Sequence, residues 1–230
     1  MERNFKVRLI VGIGMFVVAL IGLYTFDSIP FKIIYGLFAL MAGIELLSFF
    51  EKKFSISLAV LALVELAFLV CSSVFVARIG VIYVWYIILG VCGYDIFAYL
   101  FGKAFGGKVF GASRPFPTIS KSKTWEGTIM GLVVSIALVV IMMAVRDAFL
   151  TDWMYILCGP LALMGDLFES LLKRRFGVKD SSEVVVKNKI FAGLEHLVGG
   201  SAGHGGFLDR IDSTAFTGTV LLIISLIIGG

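Results

Sequence analysis

The chain has 230 residues, 59% of them hydrophobic, with 20 Lys and Arg against 16 Asp and Glu. Only 16% are charged and the mean hydropathy is +1.01, whereas a soluble domain carries about 25% charged residues. That excludes a soluble globular domain and points to an integral membrane protein.

A bilayer span needs about 20 mainly apolar residues, and seven runs qualify. Leu9–Phe26 has no charge, is longer than a signal core and has no small-residue cleavage site after it, so it reads as a retained span. Ile33–Phe50 carries only Glu45, Phe54–Ala77 only Glu65, and Ile79–Gly102 only Asp95. Gly127–Val145 is uncharged, Trp153–Leu172 turns polar at Asp166, and Ser213–Gly230 is uncharged. None alternates as barrel strands do over about ten residues. The expected fold is all-α, a polytopic transmembrane helix bundle of about seven spans. Cys71, Cys92 and Cys158 lie singly in apolar runs and read as small buried hydrophobes rather than a disulfide or metal set.

Seven spans with a cytosolic N-terminus put 17 of the 20 Lys and Arg on the cytosolic side and leave Lys32, Arg78 and Arg146 on the other. That asymmetry satisfies the positive-inside rule. For basic loops held at a bilayer, anionic headgroups and phosphorylated small molecules fit better than nucleic acid. Residues 1–80 are expected to form an N-terminal three-helix transmembrane region. Residues 81–230 are expected to form a second transmembrane region that carries the candidate catalytic residues, with cytosolic loops 103–126 and 173–212. Loop 103–126 holds three glycines and two prolines and reads as irregular. Within 181–202, Ile190, Leu194, Leu197 and Val198 fall at helical spacing and suggest a helix on the membrane surface.

Polar residues gather in three places, all on the cytosolic side. In GDLFESLLKRRFGVKD, Asp166, Glu169, Ser170 and Lys173 are spaced to share one helix face. An ionisable residue within a span faces the bundle interior and is a functional candidate by default; pairing of Asp166 with a base at the helix end is the structural alternative. Asp95, followed by Tyr99, Gly102 and Lys103, allows the same two readings. GHGGFLDRID offers glycine amides that can approach a phosphate, and Asp209 and Asp212 one helical turn apart. Carboxylates beside phosphate suit Mg²⁺, a hard cation that takes oxygen ligands.

Taken together, these motifs resemble the phosphatidate cytidylyltransferase (CDP-diacylglycerol synthase) family. Its C-terminal signature is matched by Ser170, Lys173, Arg174, Lys179 and Asp180, then Gly203, His204, Gly205, Gly206, Asp209, Arg210 and Asp212. ISKSKTWEG (Ile119–Gly127) and YDIFAYLFGKAFG (Tyr94–Gly106) resemble its upstream elements. The departures are the intervening segment Ser181–Ala202, Ala202 where Pro is usual, Lys121 in place of Pro and Ser122 in place of Lys.

The resemblance implies transfer of CMP from CTP to phosphatidic acid, giving CDP-diacylglycerol and pyrophosphate, in a polar cavity open to cytosol and bilayer. It implies Mg²⁺ held by Asp166 and Asp209 with Asp212 in support, and a monovalent cation as a further candidate. Lys173, Arg174, Lys179 and Arg210 would bind phosphates, Gly203–Gly206 would cradle the triphosphate beside His204, and Ser170 and Asp180 complete the motif. Ser120, Lys123, Thr124 and Glu126 would face the nucleotide, and Asp95 and Tyr99 the lipid headgroup. A bacterial inner membrane, bilayer lipids as surroundings and a homodimer are expected. Another CTP-dependent lipid enzyme (a polyprenol kinase or an archaeal-type CDP-lipid synthase), an ion-coupled transporter and an inactive scaffold relative remain the alternatives.

Overall fold

The structure, a computed structural model, describes residues 29–52, 55–178 and 208–228. The first expected span, the surface helix within 181–202, Lys179, Asp180 and the glycine motif at 203–206 lie outside them. All regular structure among the described residues is helical. In chain order the six helices are α1 (Ile29–Lys52), α2 (Ile56–Arg78), α3 (Val81–Phe105), α4 (Trp125–Arg146), α5 (Phe149–Phe176) and α6 (Leu208–Ile228). Five of them, α2 to α6, are long and apolar enough to cross a membrane. Outward residues such as Leu63, Val70, Ile141, Val145 and Leu150 are exposed and apolar. A bundle that turns this much hydrocarbon outward is stable only in lipid, and the chain is a membrane protein.

The elements extend past the apolar runs that mark them. α4 begins at Trp125 because Thr124 caps it, its Oγ1 accepting the Gly127 N–H at 3.1 Å. α5 begins with a short turn, Phe149–Asp152, tightens into a 3-10 stretch, Trp153–Leu157, and runs on to Phe176; α6 already starts at Leu208. Both ends of the expected loop 173–212 are therefore helical, and Asp209 and Asp212 occupy the first turns of α6.

Polar contacts mark the two ends of the bundle. At one end Lys32 donates to the Ala77 carbonyl at 2.9 Å, and Arg146 Nη1 donates to Asp152 Oδ2 at 2.6 Å and to the Tyr86 hydroxyl at 3.1 Å. At the other end lie the C-terminus of α5, the N-termini of α4 and α6, and loop 106–124.

Two packing features aim side chains at that second end. Residues Ile88–Cys92 of α3 form a π turn, and Ser135 Oγ of α4 donates to its Gly90 carbonyl at 2.8 Å. One extra residue in a helix rotates all later side chains by about 100°, which turns Tyr94, Asp95, Ala98, Tyr99 and Gly102 toward a common cavity. Close helix approach supplies the rest. A methyl at Gly127 would stand 2.4 Å from the Ala98 carbonyl oxygen, and one at Gly165 would stand 2.9 Å from Ser213 Cα and 3.0 Å from the Asp212 oxygen. Gly127 and Gly131 of α4 thus seat on Ala98 and Gly102 of α3, small residues at four-residue spacing on both partners. Gly165 lets the backbone of α6 reach α5 beside Asp166.

Candidate active site

The cavity at this end measures about 520 Å³. Of the residues singled out in the sequence, Asp95, Tyr99, Ser120, Lys123, Thr124, Asp166, Ser170, Lys173 and Arg174 line it. Four separate stretches converge there: α3, the end of loop 106–124, the first turn of α4 and the polar face of α5.

Asp166 is the hinge of the arrangement. Toward the loop its carboxylate forms an ion pair with Lys123, and Ser170 Oγ donates to its Oδ1 at 3.5 Å. Burial works against the Lys123 ammonium, but Asp166, with smaller help from Tyr94 and Asp95, outweighs it and holds the amine above its ordinary range. Lys123 therefore carries its charge throughout the neutral pH range. Its Nζ also sits 5.5 Å from the centre of the Tyr94 ring. The Tyr94 hydroxyl is fully buried and has no hydrogen-bond partner among the described residues.

Behind Asp166 the carboxylates crowd. Oxygens of Asp166, Glu169 and Asp212 lie within 4.8 Å of one another. Glu169 and Asp212 are buried. Lys173 Nζ stitches α5 to α6, donating to Glu169 Oε2 at 2.6 Å and to Asp209 Oδ1 at 2.8 Å. The second Glu169 oxygen is buried without a partner among the described residues. Asp212 Oδ1 accepts from the Ser213 N–H at 2.6 Å.

Three like charges this close repel unless a proton or cation stands between them. The oxygens suit a hard cation, and two ligands on opposite sides of Mg²⁺ would be about 4.2 Å apart. The unpartnered Glu169 oxygen is the further sign that the donor set fits such an ion. The sequence places Glu169 on the Asp166 face, three residues on, and Tyr94 within a motif, but polarity and spacing mark neither as functional; the packing of α3, α5 and α6 does. Asp209, expected from the sequence to hold the cation, is held here by Lys173. The side chain of Arg210 lies outside the description.

Glu126 is buried, and its Oε1 accepts N–H groups from Gly107, Val109 and Phe110 at 2.9, 3.0 and 3.1 Å. One carboxylate oxygen thereby gathers the start of loop 106–124 and ties it to α4. It does not line the cavity. Val109 and Phe110 are exposed, so water can replace part of each bond, and losing one costs about 0.5–1.5 kcal/mol. Glu126→Ala is expected to release the loop, so that trypsin cleaves at Lys108, Arg114 and Lys121 at least about tenfold faster, with Glu126→Gln in between. Equal cleavage rates in all three proteins would show that the loop is held by something else.

Fold and cavity define a helical membrane protein with a polar cavity of mixed charge toward an end of its bundle, backed by buried carboxylates. The model of the cytidylyltransferase family matches residues 56–186, and the chain belongs to that family. It is 38% identical over 135 residues to phosphatidate cytidylyltransferase 4, chloroplastic, of Arabidopsis thaliana, covering 57% of this chain and 29% of that protein. It is 35% identical over 149 residues to the phosphatidate cytidylyltransferase of Staphylococcus haemolyticus, covering 63% and 49%. With that of Staphylococcus saprophyticus it shares 30% over 181 residues, covering 76% and 62%. The chain spans less than two thirds of the length of each of these relatives.

Proposed function

We propose that the protein transfers CMP from CTP to phosphatidic acid, forming CDP-diacylglycerol and pyrophosphate. Family membership and the names of its relatives support the reaction. The observation that carries it is the acidic trio, flanked by Lys123 and Lys173, opening through Asp166 onto a cavity at a bundle end. A lipid substrate can enter such a cavity with its acyl chains still in the bilayer.

Seven spans extend the five with α1 and Leu9–Phe26. The excess of Lys and Arg puts the cavity end in the cytosol, and a bacterial inner membrane fits this orientation. Asp166, Glu169 and Asp212 would hold Mg²⁺, with Asp209 one turn away; bound there, it would offset charge on the reacting phosphates. A phosphatidate oxygen attacks the α-phosphorus of CTP, the bond to the β-phosphate oxygen breaks, and pyrophosphate leaves. The chain's own part is positioning and charge. Lys123, from the loop, and Arg174, from α5, both line the cavity and draw the two anionic substrates together. The buried Tyr94 hydroxyl offers a phosphate oxygen a donor with no other use among the described residues, and Lys173 keeps α5 and α6 at fixed spacing.

CTP labelled separately at the α- and γ-phosphates tests the reaction with purified protein, phosphatidic acid and Mg²⁺. The α label is expected in the lipid phase with matching pyrophosphate release, and the γ label in water. The γ label in lipid would make the protein a kinase instead.

A further inference from the structure

The helix that carries Asp209 and Asp212 starts in a dry place. Leu208, its first residue, is 0% exposed. The opening N–H groups of a helix have no acceptor within the helix, and here water cannot supply one. The acceptor comes from α1: Glu45 Oε2 takes the Leu208 N–H at 2.8 Å, across 163 residues of sequence. Glu45 is 3% exposed and is the one charged side chain of the run Ile33–Phe50. A buried carboxylate in an otherwise apolar run is expensive, while the positive end of a helix dipole is where it costs least. Glu45 also lies ahead of the stretch that the family model matches.

We propose that Glu45 is a positioning residue: by holding the Leu208 N–H it sets the height of α6 along the bundle, and with it the meeting of Asp209 with Lys173 and of Asp212 with Asp166 and Glu169. The next residue after the anchor is Asp209, and Asp212 comes one turn later. A slip of α6 by one residue would move both carboxylates by about 1.5 Å and turn them by about 100°, enough to break the 2.8 Å contact to Lys173. The catalytic consequence rests on the reaction proposed above; the anchoring itself does not.

Two conservative variants separate reach from charge. Glu45→Gln keeps an oxygen at the same reach and loses the charge, while Glu45→Asp keeps the charge and withdraws the oxygen by one methylene. Hydrogen exchange of the backbone amides at 208–212, read by mass spectrometry on the full chain in detergent or nanodiscs, is the first readout. Glu45→Asp is expected to exchange there at least tenfold faster than the unmodified protein, with α4 unchanged, and Glu45→Gln to stay within about threefold. In the labelled-CTP assay, Glu45→Asp should lower kcat at least tenfold and raise the Mg²⁺ concentration for half-maximal rate, with KM for phosphatidic acid unchanged, and Glu45→Gln should restore both. Exchange at 208–212 unaffected in Glu45→Asp, or equally accelerated in both variants, overturns the proposal. If the unmodified protein makes no CDP-lipid, the reaction fails while the exchange experiment still decides the anchor.

Discussion

Asp166→Asn is expected to lower CDP-lipid formation by at least about a hundredfold while the protein still folds. Asn has the shape of Asp, so the packing around Gly165 and α6 survives. What disappears is a charge with two tasks. Lys123 loses its ion-pair partner, and the trio loses the member that faces the cavity. Removing one partner of a buried pair costs about 3–5 kcal/mol; with Asp166 at 30% and Lys123 at 16% side-chain exposure, the lower part of that range applies. That cost falls on the fold; the hundredfold loss in rate corresponds to about 2.7 kcal/mol of barrier and reflects the carboxylate missing from the proposed cation site. Pairing Asp166→Asn with Lys123→Met should cost far less than the product of the two single effects, because the two residues act as one unit. Activity within tenfold of the unmodified protein in Asp166→Asn would remove Asp166 from the reaction.

Gly127→Val is expected to have the largest effect on the fold. Its Cβ alone would press on the Ala98 oxygen at 2.4 Å and on Gly102 Cα and N at 2.9 and 3.0 Å, and all three are backbone atoms. Backbone cannot swing aside, so α3 and α4 must separate. Overpacking of this kind costs about 1–3 kcal/mol or more, a fall in melting temperature of about 3–10 °C for a chain of this length. The same separation opens the cavity wall formed by Ala98, Gly102, Thr124 and Thr128, so activity should fall more steeply than stability. Gly36→Ala is the control: nothing lies within 4 Å of the added methyl, and the melting temperature should hold. Fluorescence-detected thermal melting of both variants checks this, and an unchanged melting temperature in Gly127→Val would contradict the tight α3–α4 contact.

The sequence reveals those parts of this architecture that depend on period and polarity. Apolar runs locate α1 to α6, because a span must be hydrophobic for about 20 residues whatever its partners. Helical spacing alone puts Asp166, Glu169, Ser170 and Lys173 on one face. Period says which residues share a face, but not what that face meets. Lys173 reaches Asp209 across 36 residues and Glu45 reaches Leu208 across 163, pairings that only the packing of α1, α5 and α6 creates. For the same reason Glu126, expected at the nucleotide, turns out to gather the amides of its own loop, and Glu169 sits deeper than its neighbour Asp166. The small-residue spacing Gly127–Gly131 is legible as a close-packing signal, but its partner, Ala98–Gly102, lies on another helix. The π turn at Ile88–Cys92 leaves no periodic trace, since one inserted residue in an apolar run changes no polarity pattern.

One cation site built from α5 and α6 underlies the proposed chemistry, and Mn²⁺ in place of Mg²⁺ tests it most directly. Titration of the purified protein, monitored by electron paramagnetic resonance, is expected to show a saturable site in the unmodified chain that is lost in the Asp166→Asn, Asp212→Asn double variant and weakened in Glu169→Gln. Mn²⁺ binding of unchanged stoichiometry and affinity in the double variant would contradict it.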